Sequence, residues 1–376
     1  MIIKNAKVYL EKGVFEKADI HIRDDRFTEN NENDRNIIDG EGLYAIPGLI
    51  DIHFHGCAGY DFCDGTLEAL EAIAHYQAQN GITSICPATM TLDDEALEKI
   101  FINAAQYRNE KGATLVGINM EGPYLSYGKR GAQNPDFLRR PDVEHFRKMN
   151  KLSGNLIKLV AVAPEVEGAM AFIKELKDEV VISIAHTEAD YQTALEAFKK
   201  GASHVTHLYN AMPAFNHRGP AVVGAAFDCE NARVELICDG VHVHPSVIRA
   251  TFKIFGDDRI ILVSDSMMAT GMEDGQYSLG GQLVRVQGDK ATLEDGTIAG
   301  SVSNLMKCMQ KAISFGIPVE SAVKCATVNP AKEIGIYDEY GSITPGKYAN
   351  VVLLDEAFNV KAVVLKGKLI KGLGVT

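Results

Sequence analysis

Residues 50–56 read Ile50-Asp51-Ile52-His53-Phe54-His55-Gly56, an apolar run that ends in two imidazoles two positions apart. On a β-strand, residues i and i+2 project from the same face, so His53 and His55 would point together. The pattern recurs outward along the chain: residues 115–121 end in Glu121, 180–186 in His186, 203–207 in His207 and 259–265 in Asp265. Side chains able to bind a metal stand where strands are expected to stop.

Eight apolar runs bounded by turn residues are legible, at 49–53, 82–86, 115–121, 156–162, 180–186, 203–207, 234–238 and 259–265. Between them lie segments of helical periodicity, including 67–79 closed by Gly81, 165–177 introduced by Pro164, and 189–200 closed by Gly201. Strands alternating with helices imply a parallel sheet, and eight such units imply an α/β fold closed into a TIM-like (β/α)8 barrel over residues 46–345. The ends of the chain differ. Segments 2–9, 18–23, 35–39, 349–355 and 361–369 alternate without helical signal, which predicts a small β-sandwich module built from residues 1–45 and 346–376 together. An insertion at 276–297 alternates around Gly280-Gly281 and reads as β-hairpins, after which 301–315 and 318–326 return to helix.

With 376 residues, 46% of them hydrophobic, the chain can bury a large core. A formal charge of −12 argues against nucleic acid or an anionic membrane as partner. No run approaches the ~20 apolar residues that span a bilayer. Seven cysteines, an odd number without a CxxC pair, argue against a disulfide framework and for a reducing compartment. The expectation is a soluble, cytoplasmic protein.

Active sites of (β/α)8 barrels lie at the C-terminal ends of the strands. His53, His55, Glu121, His186, His207 and Asp265 all fall there, and together they predict a divalent metal site. Histidine and carboxylate ligands suit Zn²⁺, Fe²⁺, Co²⁺ or Mn²⁺ without choosing among them. Such an ion would make water nucleophilic near neutral pH, and Asp265 could take its proton and pass it to a leaving group. That chemistry is metal-assisted hydrolysis. Two loops address substrate: one carries Asn210 and then His217-Arg218, the other His242 and His244 after an Asp239-Gly240 turn. An arginine such as Arg218 can hold phosphate by a bidentate contact. Lys158 lies too far before its strand end to be a ligand, His204 is expected on the opposite face packing against helix, and His244 at the rim.

The set Asp51-Ile52-His53-Phe54-His55-Gly56, Glu121-Gly122-Pro123-Tyr124, Ala185-His186-Thr187, His207-Leu208-Tyr209-Asn210-Ala211-Met212, Asp239-Gly240-Val241-His242-Val243, Val263-Ser264-Asp265 and Ala299-Gly300-Ser301 resembles the N-acetylglucosamine-6-phosphate deacetylases of the amidohydrolase superfamily. The likeness extends over nearly the whole chain. It implies that Glu121, His186 and His207 bind the principal metal and that Asp265 is general base and then acid. It further implies that His242 polarises the acetamide carbonyl or holds the sugar, and that Ala132, Gln133, Asn210, Ala211, Arg218 and Ser301 contact a phosphorylated amino sugar. By the same resemblance the enzyme is a homodimer in which the arginine can reach the neighbouring subunit. Members vary at HxH; with His53 and His55 intact, one or two divalent ions per chain are expected, the second bridged by Glu121. Where many members have Gly-Ala-His, this chain has Gly131-Ala132-Gln133, so Gln133 can hydrogen-bond but cannot become cationic. After Arg218 it reads Gly219-Pro220-Ala221 where the usual sequence is Glu-Pro-Gly. Two rivals are another amidohydrolase acting on a cyclic amide or as a deaminase, and a scaffold that has lost catalysis.

Overall fold

The computed structural model describes residues 1–30, 36–108 and 111–372. The eight apolar runs form parallel strands at Leu49–Asp51, Ile82–Ile85, Thr114–Leu115 continuing as Ile118–Met120, Ile157–Val162, Val181–Ile184, His204–Val205, Arg233–Ile237 and Ile260–Val263. Ile82–Ile85 pairs with Thr114–Leu115 on one side and Leu49–Asp51 on the other in a three-stranded sheet, while Ile118–Met120 opens a six-stranded sheet that proceeds in chain order to Ile260–Val263. The expected single strand at 115–121 is thus interrupted. Gly117 passes so close to its neighbours that a Cβ there would lie 2.4 Å from Lys158 Cγ and 3.2 Å from Cys86 Sγ. A parallel bridge between Ala88 and Asn119 joins the two sheets on one side. On the other side the Asp265 N–H donates to the His53 carbonyl at 2.9 Å.

Helices form the crossovers that parallel strands require. Leu67–Gln79 begins where the Thr66 side chain accepts from the Ala69 N–H, and it buries Leu70, Ile73, Ala74 and Gln77, one stripe at helical spacing. The helix expected at 165–177 is shorter, Ala169–Leu176. Gly168, with φ of +92°, starts it late, and Glu165 is occupied in accepting from Thr187 Oγ1 and the Glu188 N–H. Two apolar layers result. Val234 and Leu236 face the layer between strands and helices. Ile50, Ile52, Ile237, Ile261 and Val263 face an inner core closed by Ala331, Ile334 and Tyr340. That inner core fills the end of the strand assembly opposite the histidines.

Both chain ends enter one sheet. Tyr44–Pro47 lies parallel to Ile2–Tyr9 and antiparallel to Val351–Leu354, and so ties the two ends together. Ile37–Asp39 is the expected strand near 35–39; Arg35 itself, like residues 373–376 of the C-terminal segment, lies outside the described residues. The strand expected at 361–369 is a hairpin, Val360–Leu365 with Lys368–Lys371. The strands are hydrogen-bonded as one continuous sheet, not the two sheets of the expected sandwich, around a core of Ile3, Val8, Ile22, Phe27, Val351 and Leu353. Truncating fully buried Leu353 to alanine would cost about 2–5 kcal/mol.

The insertion is a three-stranded antiparallel meander, Gly275–Leu279, Gln282–Gln287 and Lys290–Thr292. Gly280 and Gly281, at φ of +56° and +80°, make its first turn, as a two-residue turn with both residues left-handed requires. Its inner face packs Leu279, Val284 and Val286 on Met90, Ala132 and Met267, which places it beside the histidine cluster. All seven cysteines are free thiols. Among the described residues, no helix is long and apolar enough to cross a membrane.

Candidate active site

The first strand stops at Asp51, so His53 and His55 do not share a strand face as expected. They meet on the extended segment beyond it, with ring centroids 5.7 Å apart. His186, His207 and Asp265 each follow their strand by two residues and hold left-handed φ values of 41°, 27° and 50°. Such backbone is costly for residues with a Cβ, of order 1–3 kcal/mol each, and here it turns three strand ends toward one point.

That point is the Glu121 carboxylate. Its Oε1 lies 3.4 Å from His53 Nε2, 3.2 Å from His186 Nε2 and 3.1 Å from His207 Nε2. Its Oε2 is 3.3 Å from His55 Nε2. Asp265 Oδ1 is 3.3 Å from His55 Nε2 and 3.8 Å from His53 Nε2. All six side chains are buried. The six metal-site residues read from sequence are therefore gathered into one cluster.

The donor set fits divalent ions. His186 Nε2 and His207 Nε2 are 3.1 Å apart, and His53 Nε2 is buried without a hydrogen-bond partner. Around an ion with ligands at about 2.0–2.1 Å, neighbouring tetrahedral donors stand about 3.3 Å from one another, which is the spacing seen. The donor atoms of His53, Glu121 and His207 fall within 4.8 Å of one another, and so do those of His53, His55 and Asp265. Surrounding groups set the tautomers: His186 Nδ1 donates to the Lys129 carbonyl at 2.8 Å and His53 Nδ1 to Glu235 Oε2 at 2.7 Å, leaving each Nε2 for a ligand. Burial opposes ionisation of Asp265, but the imidazoles of His55 and His53 outweigh it and hold the carboxyl below its ordinary range. Asp265 is thus a carboxylate near neutral pH.

Five of the six, all but His53, form the floor of a cavity of about 460 Å³. Ala132, Gln133, Asn210, Ala211 and His242 line it, as the sequence led us to expect. His242 is oriented by Asp239, whose Oδ2 accepts from Nδ1 at 2.7 Å and whose Oδ1 accepts from the His242 N–H at 2.9 Å. Burial lowers the His242 pKa, yet Asp239 more than compensates and raises it.

Two expected contacts are not in this cavity. Arg218 is exposed, in a loop pinned by an Asn216–Gly219 bridge outside the lining of the cavity. Ser301 is buried behind the wall, donating from Oγ to the Ser264 carbonyl at 2.6 Å; its neighbours Ala299 and Gly300 are what line the cavity. Conversely, Lys129, Arg130, Asp295 and Thr297 face the cavity and were not picked out from sequence. The basic pair immediately before Gly131-Ala132-Gln133 was the available signal for the first two. Glu235 also went unread, because a single acid inside an apolar strand gives no periodic signal. His204 meets a helix as expected, but through charge and not apolar packing: it sits between Glu235 and Glu333, the last residue of the helix Val328–Glu333.

A parallel α/β protein with a buried histidine–carboxylate cluster at its strand ends has the layout of a metal-dependent hydrolase. The description "Amidohydrolase family" matches residues 44–370, and the chain belongs to that family. It is 35% identical to the N-acetylglucosamine-6-phosphate deacetylase of Bacillus subtilis (strain 168), over 98% of this chain and 96% of that one. It is 31% identical to an N-acetylgalactosamine-6-phosphate deacetylase of Escherichia coli O157:H7, over 98% of both. Among solved structures, a mutant N-acetyl-D-glucosamine-6-phosphate deacetylase from Mycobacterium smegmatis in complex with N-acetyl-D-glucosamine-6-phosphate superposes with a TM-score of 0.92. It is 30% identical and covers 99% of each chain.

Proposed function

We propose that this protein hydrolyses the acetamide of N-acetyl-D-glucosamine 6-phosphate to D-glucosamine 6-phosphate and acetate, a carbon–nitrogen amide hydrolysis of amino-sugar catabolism and recycling. The observation that carries the proposal is the convergence of Glu121, His186, His207, His53, His55 and Asp265 in one cluster, all of which but His53 line the floor of one cavity. Full-length similarity to deacetylases of phosphorylated amino sugars supports the substrate.

Glu121, His186 and His207 would hold the principal divalent ion, Zn, Fe, Co or Mn. His53, His55 and Asp265 would hold a second, with Glu121 reaching both. When bound, an ion supplies Lewis acidity, making water nucleophilic near neutral pH and polarising a carbonyl. The residues of the chain do the rest. The Asp265 carboxylate takes a proton from the attacking water as its oxygen bonds to the acetyl carbon. It returns that proton to the amide nitrogen as the C–N bond breaks, releasing acetate and the amine. His242, its Nδ1–H held by Asp239, presents Nε2 to polarise the acetamide carbonyl or hold the sugar. Ala132, Gln133, Asn210 and Ala211 contact the substrate.

Arg218 is assigned to the substrate phosphate, in its own site or, as its exposure permits, in the neighbouring subunit's site of a homodimer. The two parallel sheets are read as one closed eight-stranded barrel spanning 46–345, with residues 1–45 and 346–376 as a composite module. The Ala88–Asn119 bridge and the Asp265–His53 hydrogen bond support that closure. A cytoplasmic setting fits the free thiols.

The test is acetate release from N-acetylglucosamine 6-phosphate beside unphosphorylated N-acetylglucosamine, on protein of determined metal content. Release from the phosphorylated sugar, lost on chelation and restored by divalent metal, is the expected result. No release from metal-replete protein would refute the assignment. The E. coli relative makes N-acetylgalactosamine 6-phosphate the second substrate to assay.

A further inference from the structure

A chain of buried charged groups leads away from the cluster through the strand assembly, and the proposed reaction leaves it unused. His53 Nδ1 is 2.7 Å from Glu235 Oε2. Glu235 Oε1 is 3.1 Å from His204 Nε2, and His204 Nδ1 is 2.8 Å from Glu333 Oε1. Glu333 Oε2 then meets Arg233 Nη1 at 3.1 Å, where the side chain is 39% exposed. His53, Glu235 and His204 have no solvent exposure.

Hydrogen-bond accounting fixes the protonation along this chain. Carboxylates only accept, so an imidazole between two of them must donate from both nitrogens, and His204 is a cation. With Arg233 at the far end, the groups alternate in sign, which is how Glu235 stays ionised where an unpaired buried charge would be expelled or neutralised. Burial lowers the His204 pKa, but Glu235 and Glu333 outweigh it and raise it to about 9. An ionised Glu235 requires a proton on His53 Nδ1. A ligating imidazole is neutral, so His53 with its proton on Nδ1 offers the lone pair of Nε2, the atom that faces Glu121 and Asp265. The same Glu235 Oε2 accepts from the His207 N–H at 2.9 Å, so one oxygen fixes a ring on one side of the cluster and a backbone segment on the other.

We propose that Glu235 is a positioning residue which, held in place by His204 and Glu333, fixes His53 as a ligand and thereby permits a second divalent ion beside the first. The proposal rests on the two-ion reading of the site given above. Second-sphere partners of ligating histidines are worth about 10–100-fold in metal affinity. The loss should fall on the ion held through His53, because at His207 Glu235 touches only the peptide N–H.

The test titrates Zn²⁺ into metal-free wild type, Glu235→Gln and Glu333→Gln by calorimetry, with metal per chain counted by elemental analysis and the fold monitored by circular dichroism. Wild type should show two binding steps. Glu235→Gln should keep the tighter step and weaken the other about 10–100-fold; Glu333→Gln, which acts through His204, should weaken the same step by less. Two wild-type-like steps in both folded variants would overturn the proposal and leave the two-ion reading standing. Equal loss of both steps would reduce Glu235 to a structural role and also overturn it. A wild type that binds a single ion or none would overturn the two-ion reading itself, and the proposal with it.

Discussion

Gln133 Nε2 donates to Glu121 Oε2 at 3.1 Å, while Gln133 Oε1 accepts from the Thr91 N–H at 2.6 Å. The amide is thereby oriented by backbone, with its donor end turned to the carboxylate that all four histidines of the cluster surround. An amide can fill this place and an imidazolium need not, because what Glu121 requires here is one directed N–H.

Replacing Gln133 by leucine should therefore impair catalysis through Glu121. A hydrogen bond to a charged group is worth about 1.5–3 kcal/mol, so kcat/KM should fall by about 10–100-fold. Steady-state acetate release at saturating metal measures this, and a change under twofold would show that Glu121 needs no such support.

Asp265→Asn should fold and bind substrate but turn over about 10²–10⁴-fold more slowly, the usual contribution of a positioned proton-transfer group. Single-turnover kinetics on metal-loaded protein check it. Substantial residual turnover would remove Asp265 from the proton path.

Arg218→Ala should raise KM for the 6-phosphorylated sugar by about tenfold or more, with little change in kcat, as a charge-assisted phosphate contact would. The unphosphorylated sugar should be unaffected. If the arginine serves the neighbouring subunit, mixing Arg218→Ala with Asp265→Asn protein should produce hybrid dimers with one site lacking both groups and one site intact. Partial recovery of phosphate-dependent activity on mixing is the expected sign, and none is expected if Arg218 serves its own subunit.

The His204 cation also sets a pH dependence of stability. Its pKa rises from 6.5 to about 9 on folding, so the folded state binds the proton more tightly than the unfolded chain. The stabilisation is full below pH 6.5 and is lost as pH rises through about 9. Thermal unfolding of metal-free protein from pH 6 to 10 should show the midpoint falling across that window. In a folded His204→Gln variant the fall should be shallower, and identical slopes would assign the effect elsewhere.

The sequence by itself determined the elements and most of the site. Short apolar runs bounded by turns marked eight strands because burial on both faces leaves continuous apolar stretches, and Leu67–Gln79 was legible to the residue because its helical periodicity is closed by Gly81. The six clustered ligand positions were legible because each lies within four residues beyond a strand end, and strand direction in a parallel α/β fold carries those ends to one side. Tertiary structure alone decided what depends on residues distant in sequence. It set the break at Gly117, imposed by Lys158 and Cys86, and it placed Ser301 behind the cavity wall and Arg218 outside it. It also assembled Glu235 and His204 with Glu333, which lies 98 and 129 positions further along the chain. Periodicity reports which face of an element is buried; which charges meet inside is fixed only when the strands and helices pack.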